Sequence, residues 1–251
     1  MDWTGDAVIL SARRHGESAA ILSVLTAEHG RHAGLVRGGS GRRLRGVLQP
    51  GNEVAVAWRA RLAEHLGAFT VEPIRLLTGS LLDRPAPLAA LAAATAVTDT
   101  ALPEREPHPA LYRALLALTA ALHDEPLWPA VYVRYELGLL AELGFALDLS
   151  CCAATGETAD LAFVSPRTGR AVSAGAGAPY AEKLLRCPPF LTGGGETVTW
   201  GQIHDGLRLT GFFLERHVYF SAGHTNPGAR TRFVDRVART DPTSGVVSTH
   251  E

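Results

Sequence analysis

The sequence predicts an α+β chain of more than one domain, with a small β-barrel first and helices after it. Three observations predict this. Residues 1 to about 78 carry short apolar runs of period near two, joined by glycine-rich connections. Past Pro85, alanine and leucine dominate and the period moves to about 3.6. At 251 residues the chain is long for one core and comfortable for two small domains, on a prior of about 100–200 residues per domain.

The first strand is Ala7-Val8-Ile9-Leu10 and the second Ala20-Ile21-Leu22-Ser23-Val24-Leu25. After a turn at Gly30, His32-Ala33-Gly34-Leu35-Val36-Arg37 reads as the third. Glu53-Val54-Ala55-Val56-Ala57-Trp58 alternates charged or small residues with apolar ones, as a half-buried strand does. Leu66-Gly67-Ala68-Phe69-Thr70-Val71 completes the set. Five short strands suit an OB-fold barrel, though five strands alone also suit other sheets.

Between residues 85 and 148 the pattern predicts three helices. Leu111, Leu115, Leu118 and Leu122 share one face, as do Trp128, Tyr132, Tyr135, Leu139 and Leu143. Pro87, Pro109 and Pro129 stand where helices begin. The aromatic stripe reads as packed core. Residues 150–197 are irregular, with a strand at Leu161-Ala162-Phe163-Val164-Ser165-Pro166 and its turn at Arg167-Thr168-Gly169-Arg170. Gly193-Gly194-Gly195 is a flexible connection, and a final helix is predicted from Trp200 to Tyr219. The polar stretch from Asp241 to Glu251 reads as a disordered tail.

Hydrophobic residues make up 46% of the chain and charged residues 20%, which excludes an intrinsically disordered protein. No run approaches the ~18 apolar residues that a bilayer span requires, and the acidic start Met1-Asp2-Trp3 lacks a signal peptide's basic region. Three cysteines, two of them adjacent (Cys151 and Cys152), make no disulfide framework. The expected location is the cytoplasm. Lys183 is the only lysine; the other 23 basic residues are arginine, whose planar donor fork matches phosphate oxygens.

The net charge of −1 hides a local imbalance. Between Arg31 and Arg61 lie Arg31, Arg37, Arg42, Arg43, Arg45, Arg59 and Arg61, against Glu53 as the only acid. Arg37-Gly38-Gly39-Ser40-Gly41-Arg42-Arg43-Leu44-Arg45 joins that charge to a glycine-rich loop, whose amides could approach a phosphate backbone. On a barrel, these arginines form an electrostatic track for a polynucleotide. The plainer alternative is a solvated basic loop with no ligand. A second cluster, Arg230, Arg232, Arg236 and Arg239 around Asp235, reads as structural ion pairing.

Catalytic signatures are missing. There is no Walker loop and no Gly-x-Ser-x-Gly elbow, and nothing places a Ser, His and Asp as a triad. His29 and His32 have the spacing of a helical ligand pair, but Gly30 between them argues for a turn and no further ligand is near. The sequence therefore predicts no enzyme and no metal.

The run Val36-Arg37-Gly38-Gly39-Ser40-Gly41-Arg42-Arg43-Leu44-Arg45-Gly46-Val47-Leu48-Gln49-Pro50-Gly51 resembles the signature of the RecO family: a basic strand end, a basic loop, then Leu-Gln-Pro. Gly16-Glu17, Leu25-Thr26 and Gly30-Arg31 agree in type and order. Tyr135-Glu136-Leu137 through Leu143-Gly144-Phe145 resembles the family's helix leading into its cysteine-bearing region. Phe163-Val164-Ser165-Pro166-Arg167-Thr168-Gly169 resembles its Ser-Pro-x-x-Gly strand and turn, and the match spans roughly residues 5–240.

The resemblance implies an OB-fold domain over residues 1–80, a helical domain over 81–150 and a zinc-finger-like region over 151–197. A C-terminal helix packed on the helical domain (198–240) and the tail (241–251) follow. It implies a repair and recombination mediator that binds single- and double-stranded DNA and anneals complementary strands. Such a mediator helps load the recombinase on gapped, coated DNA. Implied partners are the acidic tail of the single-strand binding protein, RecR and, indirectly, RecA, with nucleoid association and no membrane. The DNA-contacting residues implied are Arg31, Arg37, Arg42, Arg43, Arg45, Arg59 and Arg61.

The sequence departs from the family at the finger. Some members hold zinc through two Cys-x-x-Cys pairs. Here Cys152 is followed by Thr155 where the second cysteine belongs, and the positions near Ser173 and Ala176 hold none. One thiolate cannot close a tetrahedral zinc site, so a degenerate, zinc-free finger is expected, with Cys151, Cys152 and Cys187 as ordinary thiols. Two other functional readings stay open. A protein-interaction adaptor on a barrel scaffold would bind DNA weakly, and an RNA-binding OB protein would stack bases on surface aromatics. In the basic segment the only aromatic is Trp58, which strand alternation can bury.

Overall fold

The structure is a computed structural model that describes residues 1–124, 127–194, 197–220, 223 and 225–239. The predicted tail lies outside these residues. The chain forms two compact units, Met1–His123 with Pro227–Arg230 and Asp124–Asn226 with Thr231–Glu251.

In the first unit β1 (Asp2–His15), β2 (Ala19–Thr26), β3 (Gly30–Val36), β4 (Glu53–Arg59) and β5 (Ala68–Arg75) close a barrel in the order β1-β2-β3-β5-β4. β1 is far longer than its apolar run because it serves two neighbours. Asp2–Val8 pair antiparallel with β4 and Ala7–His15 with β2, so Ala7 and Val8 serve both, and a register shift between Ile9 and Ser11 interrupts the β2 pairing. A single parallel pairing, Leu35 with Ala68, closes the gap between β3 and β5. There Gly34 lets the ring of Phe69 lie where a Cβ would sit, 2.5 Å away. Alternate residues fill the interior, among them Ile9, Leu22, Val24, Val36, Val54, Val56, Trp58 and Phe69.

Between β3 and β4 stands the four-residue helix α1 (Arg42–Arg45). After the barrel come α2 (Leu77–Ser80), α3 (Pro85–Ala101) and α4 (Pro109–Asp124). Pro85, not Pro87, opens α3, while Pro109 opens α4 as expected. Leu111, Leu115, Leu118 and Leu122 are all buried.

Asn52 ties these pieces together. It is completely buried, and its side-chain amide donates to the carbonyls of Gly46 (3.0 Å) and Val47 (2.9 Å). Its Oδ1 accepts the N–H of Thr78 at 3.1 Å. Beside it Gly51 takes φ +87° with the Leu91 side chain against its α-carbon, so no Cβ fits there. The N–H of Gly51 donates to Ile9, and Ile9 in turn donates to the Asn52 carbonyl.

The second unit contains α5 (Trp128–Glu142), the strands β6 (Leu161–Val164) and β7 (Ala171–Ser173), the turn α6 (Ala174–Gly177) and β8 (Leu185–Arg186). α7 (Trp200–Phe213) follows, and α8 (Gly228–Arg239) belongs to this unit from Thr231 on. Trp128, Tyr132, Tyr135 and Leu139 are buried in it, with Leu143 only partly so. Thr199 and Gln202 form a reciprocal capping box at the start of α7. The predicted helix to Tyr219 is present, but its last turns, Leu214–Tyr219, widen to a π-helix. It is also not the final helix: α8 follows it and carries the second arginine cluster.

Region 151–197 carries a small sheet. β7-β6-β8 form an antiparallel three-stranded sheet over a small core of Cys152, Leu161, Phe163, Ala171 and Val172. The donor set there does not fit zinc. The Cys152 sulfur accepts the N–H of Ser173 at 3.2 Å, Thr155 and Ser173 offer hydroxyls, and Ala176 offers no donor. Hydrogen bonding from the Ser173 hydroxyl, then from the Thr155 hydroxyl and the Ser173 N–H, holds the Cys152 thiol down at about 6, whereas burial pushes Cys187 up to about 11.

Asn52→Ala takes the side-chain partner from the Gly46 carbonyl and the Thr78 N–H, while the Val47 carbonyl keeps the Gln49 N–H, and each group that loses its partner costs about 1–3 kcal/mol. The expected loss of stability is about 3 kcal/mol, read as a lower urea midpoint; an unchanged midpoint would show that water replaces the amide at no cost.

Candidate nucleic-acid interface

The basic segment lies on the barrel's surface, and Leu44 explains how. Leu44 packs against the barrel core together with Val47 and Leu48, while Arg42, Arg43 and Arg45 on either side of it are exposed. The pattern Arg-Arg-Leu-Arg is thus one apolar anchor holding three guanidinium groups in water.

The glycine-rich loop before α1 is tightly folded. Gly39 packs so closely on Ala20 that a Cβ would meet it at 2.8 Å. The N–H groups of Gly39, Ser40 and Gly41 donate to Val36, Ser18 and Gly38. The Ser40 hydroxyl donates to the Ala19 carbonyl at 2.8 Å. These amides are therefore not available as a phosphate cradle, contrary to the sequence expectation. The loop's contribution is its arginines.

Arg37, Arg43, Arg59 and Arg61 meet around one open cleft of about 1100 Å³ on the barrel. Its floor includes Trp3, Trp58 and Phe69, and Asp2 stands at its edge. Arg59 pairs with Asp2 at 3.8 Å, but both are largely exposed, so the pair is screened and weak. Among the described residues Arg37, Arg43 and Arg61 form no ion pair.

The other three predicted residues lie elsewhere. Arg42 is exposed outside the cleft, and Arg45 lines a second, smaller one with Arg13 and Arg14. Arg31 is only 19% exposed; its Nε donates to the Leu102 carbonyl at 2.8 Å, and Asp99 and Glu104 lie 3.7 and 3.5 Å from its Nη1. Its guanidinium already has partners. Arg13 and Arg14 were missed by sequence reasoning. Their signal was an adjacent basic pair, outside the counted window and brought to the loop only by the β1–β2 pairing.

The aromatic floor is largely covered by its own packing. Trp3, which is half-buried, stacks on His29 (centroids 4.2 Å apart) and on Trp58 (6.0 Å). Trp58 is buried, with its indole N–H donating to the Leu66 carbonyl at 3.0 Å. Beneath them His32, also buried, touches Trp3, Trp58 and Phe69 edge-on, and neither ring nitrogen has a hydrogen-bond partner. Burial, reinforced by Arg105 and then His29, holds His32 down at about 4. The cleft thus offers guanidinium groups at its surface, while Trp58 and Phe69 are buried and Trp3 is half-buried beneath them.

Residues 1–77 match the family model described as the recombination protein O N terminal, and residues 83–224 the one described as the recombination protein O C terminal. The chain is similar to a DNA repair protein RecO of Rhodospirillum centenum, 55% identical over 98% of each chain. It is also similar to proteins of the same name from Rhodospirillum rubrum (51% identical, 95% of this chain and 97% of that one) and Methylobacterium nodulans (51%, 93% and 97%). No helix among the described residues is long and apolar enough to cross a membrane.

His32 makes stability depend on pH. Its folded value lies below the unfolded 6.5, so the unfolded chain binds more protons between the two values. Stability is complete above pH 6.5 and falls as the pH drops toward 4, by about 3 kcal/mol from this group alone. Comparing urea unfolding of the native chain and His32→Phe at pH 7 and pH 4.5 isolates the effect. The variant is expected to lose less stability; equal losses would mean that His32 is not buried neutral.

Proposed function

Because the chain belongs to the RecO family, we propose that it is a DNA repair and recombination mediator that binds DNA through the arginine cleft of its barrel. It acts on single- and double-stranded DNA, anneals complementary strands and helps load the recombinase on gapped DNA coated by single-strand binding protein. The observation that carries this is the cleft itself, where four exposed arginines surround a groove edged by one carboxylate in a chain whose net charge is −1.

We read the barrel as an OB-fold and residues 1–80 as the DNA-binding domain, followed by helical (81–150), sheet-bearing (151–197) and C-terminal (198–240) divisions. The strand order β1-β2-β3-β5-β4, with a helix between β3 and β4, supports that reading. The acidic tail of the single-strand binding protein, RecR and indirectly RecA are the proposed partners, in the cytoplasm at the nucleoid.

Annealing requires no catalytic group. Phosphates on two strands repel each other, and a basic surface lowers that repulsion while the base edges stay free to pair. Backbone contact also explains why the aromatic floor can be largely covered, and this disfavours the RNA-stacking alternative. Of the seven arginines expected to contact DNA, we keep Arg37, Arg42, Arg43, Arg45, Arg59 and Arg61 and assign Arg31 to the barrel's support.

The test is binding of a labelled single-stranded oligonucleotide as salt is raised. Phosphate contacts from the four cleft arginines alone predict that log K falls with log salt at a slope of about −3, and contacts from Arg42 and Arg45 steepen it. Changing Arg37, Arg43, Arg59 and Arg61 to alanine is expected to weaken binding at least tenfold and flatten the slope. Weak, salt-insensitive binding by the folded native chain would favour the protein-interaction adaptor instead.

A further inference from the structure

We propose that the small cleft formed by Arg13, Arg14 and Arg45 is a second phosphate-binding track, which holds the complementary DNA strand during annealing. The inference rests on the DNA-annealing reading above and assigns that activity two separate strand sites.

The cleft, about 350 Å³, lies between the far half of β1 and the opposite side of the basic loop. Arg13, Arg14 and Arg45 are all exposed and form no ion pair among the described residues. No carboxylate lines it. Its polar walls are already engaged: the Ser40 hydroxyl donates to Ala19, and the Gln49 amide donates to the Arg45 carbonyl at 2.6 Å. Three guanidinium groups are thus what it offers a ligand, and in such a number and spacing they suit a polyanion whose charges repeat along a chain.

The two clefts are separated by α1. At 100° per residue, Arg43 and Arg45 point about 200° apart around this helix, and Arg43 lines the first cleft while Arg45 lines the second. Leu44 between them is anchored to the barrel. The helix therefore forms a ridge with arginines on both flanks. One strand could occupy both clefts only by crossing the ridge. Two strands can lie along its flanks, each with its phosphates neutralised and its bases directed away from protein.

The experiment compares the full native chain with Arg13→Ala/Arg14→Ala and the charge-keeping Arg13→Lys/Arg14→Lys. Two readouts are taken: affinity for a labelled single-stranded oligonucleotide, and the rate at which two complementary labelled oligonucleotides anneal. The alanine pair is expected to bind the single strand within twofold of native yet anneal at least tenfold more slowly, with the lysine pair restoring most of the rate. A parallel loss of affinity and rate would make the surface one continuous track and overturn the proposal. An unchanged annealing rate would overturn it too. A native chain that neither binds nor anneals DNA would instead remove the underlying reading, and it shows this before any variant is compared.

Discussion

The buried amide of Asn52 reaches three stretches of backbone at once: the exit from α1 at Gly46 and Val47, the start of α2 at Thr78, and its own turn after Pro50. The Thr78 hydroxyl reinforces this by donating to the Pro50 carbonyl at 2.7 Å. In a low-dielectric interior such a satisfied network is rigid, because breaking one bond strands its partner. Rigidity matters here for an electrostatic reason. Arg42, Arg43 and Arg45 repel one another, and in a mobile loop they would spread apart. Fixed by Asn52 below and by Leu44 against the barrel, they stay concentrated on one surface.

The barrel beneath them carries a cost consistent with this role. A buried histidine without a hydrogen bond is an expensive way to fill space, yet His32 sits among Trp3, Trp58 and Phe69. Those rings close the end of the barrel beside the arginine cleft, where β3 and β5 share only one pairing. One backbone hydrogen bond, from the Leu35 N–H to the Gly67 carbonyl, crosses that seam, and packing supplies the rest. Arg105 adds to it from outside, where its guanidinium donates to the carbonyls of Ala63 and His65 and its own N–H to that of Arg31.

Much of this was legible in the sequence, for reasons that separate local from distant effects. Period-two runs located all five barrel strands and apolar spacing located the helices over 85–142 and the one from Trp200, though not α8, because burial of alternate or every third to fourth residue is a local signature. The anchored basic loop was legible as charge next to glycine. Arg31 was not legible: its partners Asp99, Leu102 and Glu104 lie about 70 residues away and meet it only through the packing of α3 on the barrel. The amide cradle failed for a related reason. Glycine was read as freedom, whereas Gly39 is there because Ala20 leaves no room for a side chain. The three-stranded sheet of the second unit was hidden by short strands, one of them the pair Leu185–Arg186, too short for any period to register.

These distinctions bear on why a nearly neutral chain can work on a polyanion. Charge that is paired contributes little to a distant field, whereas unpaired charge on a ridge is felt by a strand within a Debye length, about 8–10 Å at ordinary salt. The chain separates the two kinds of arginine. Arg31, Arg75 and Arg170 are matched by acids at 3.2–3.7 Å and serve the fold. Arg13, Arg14, Arg37, Arg43, Arg45 and Arg61 have no such match among the described residues and gather around one four-residue helix. Net charge is a sum over both sets, so it cannot report a function carried by the second. What identifies the surface is the excess of arginines over carboxylates around it, with Asp2 the one acid that lines either cleft, and that excess follows from where Asn52 and Leu44 pin the loop.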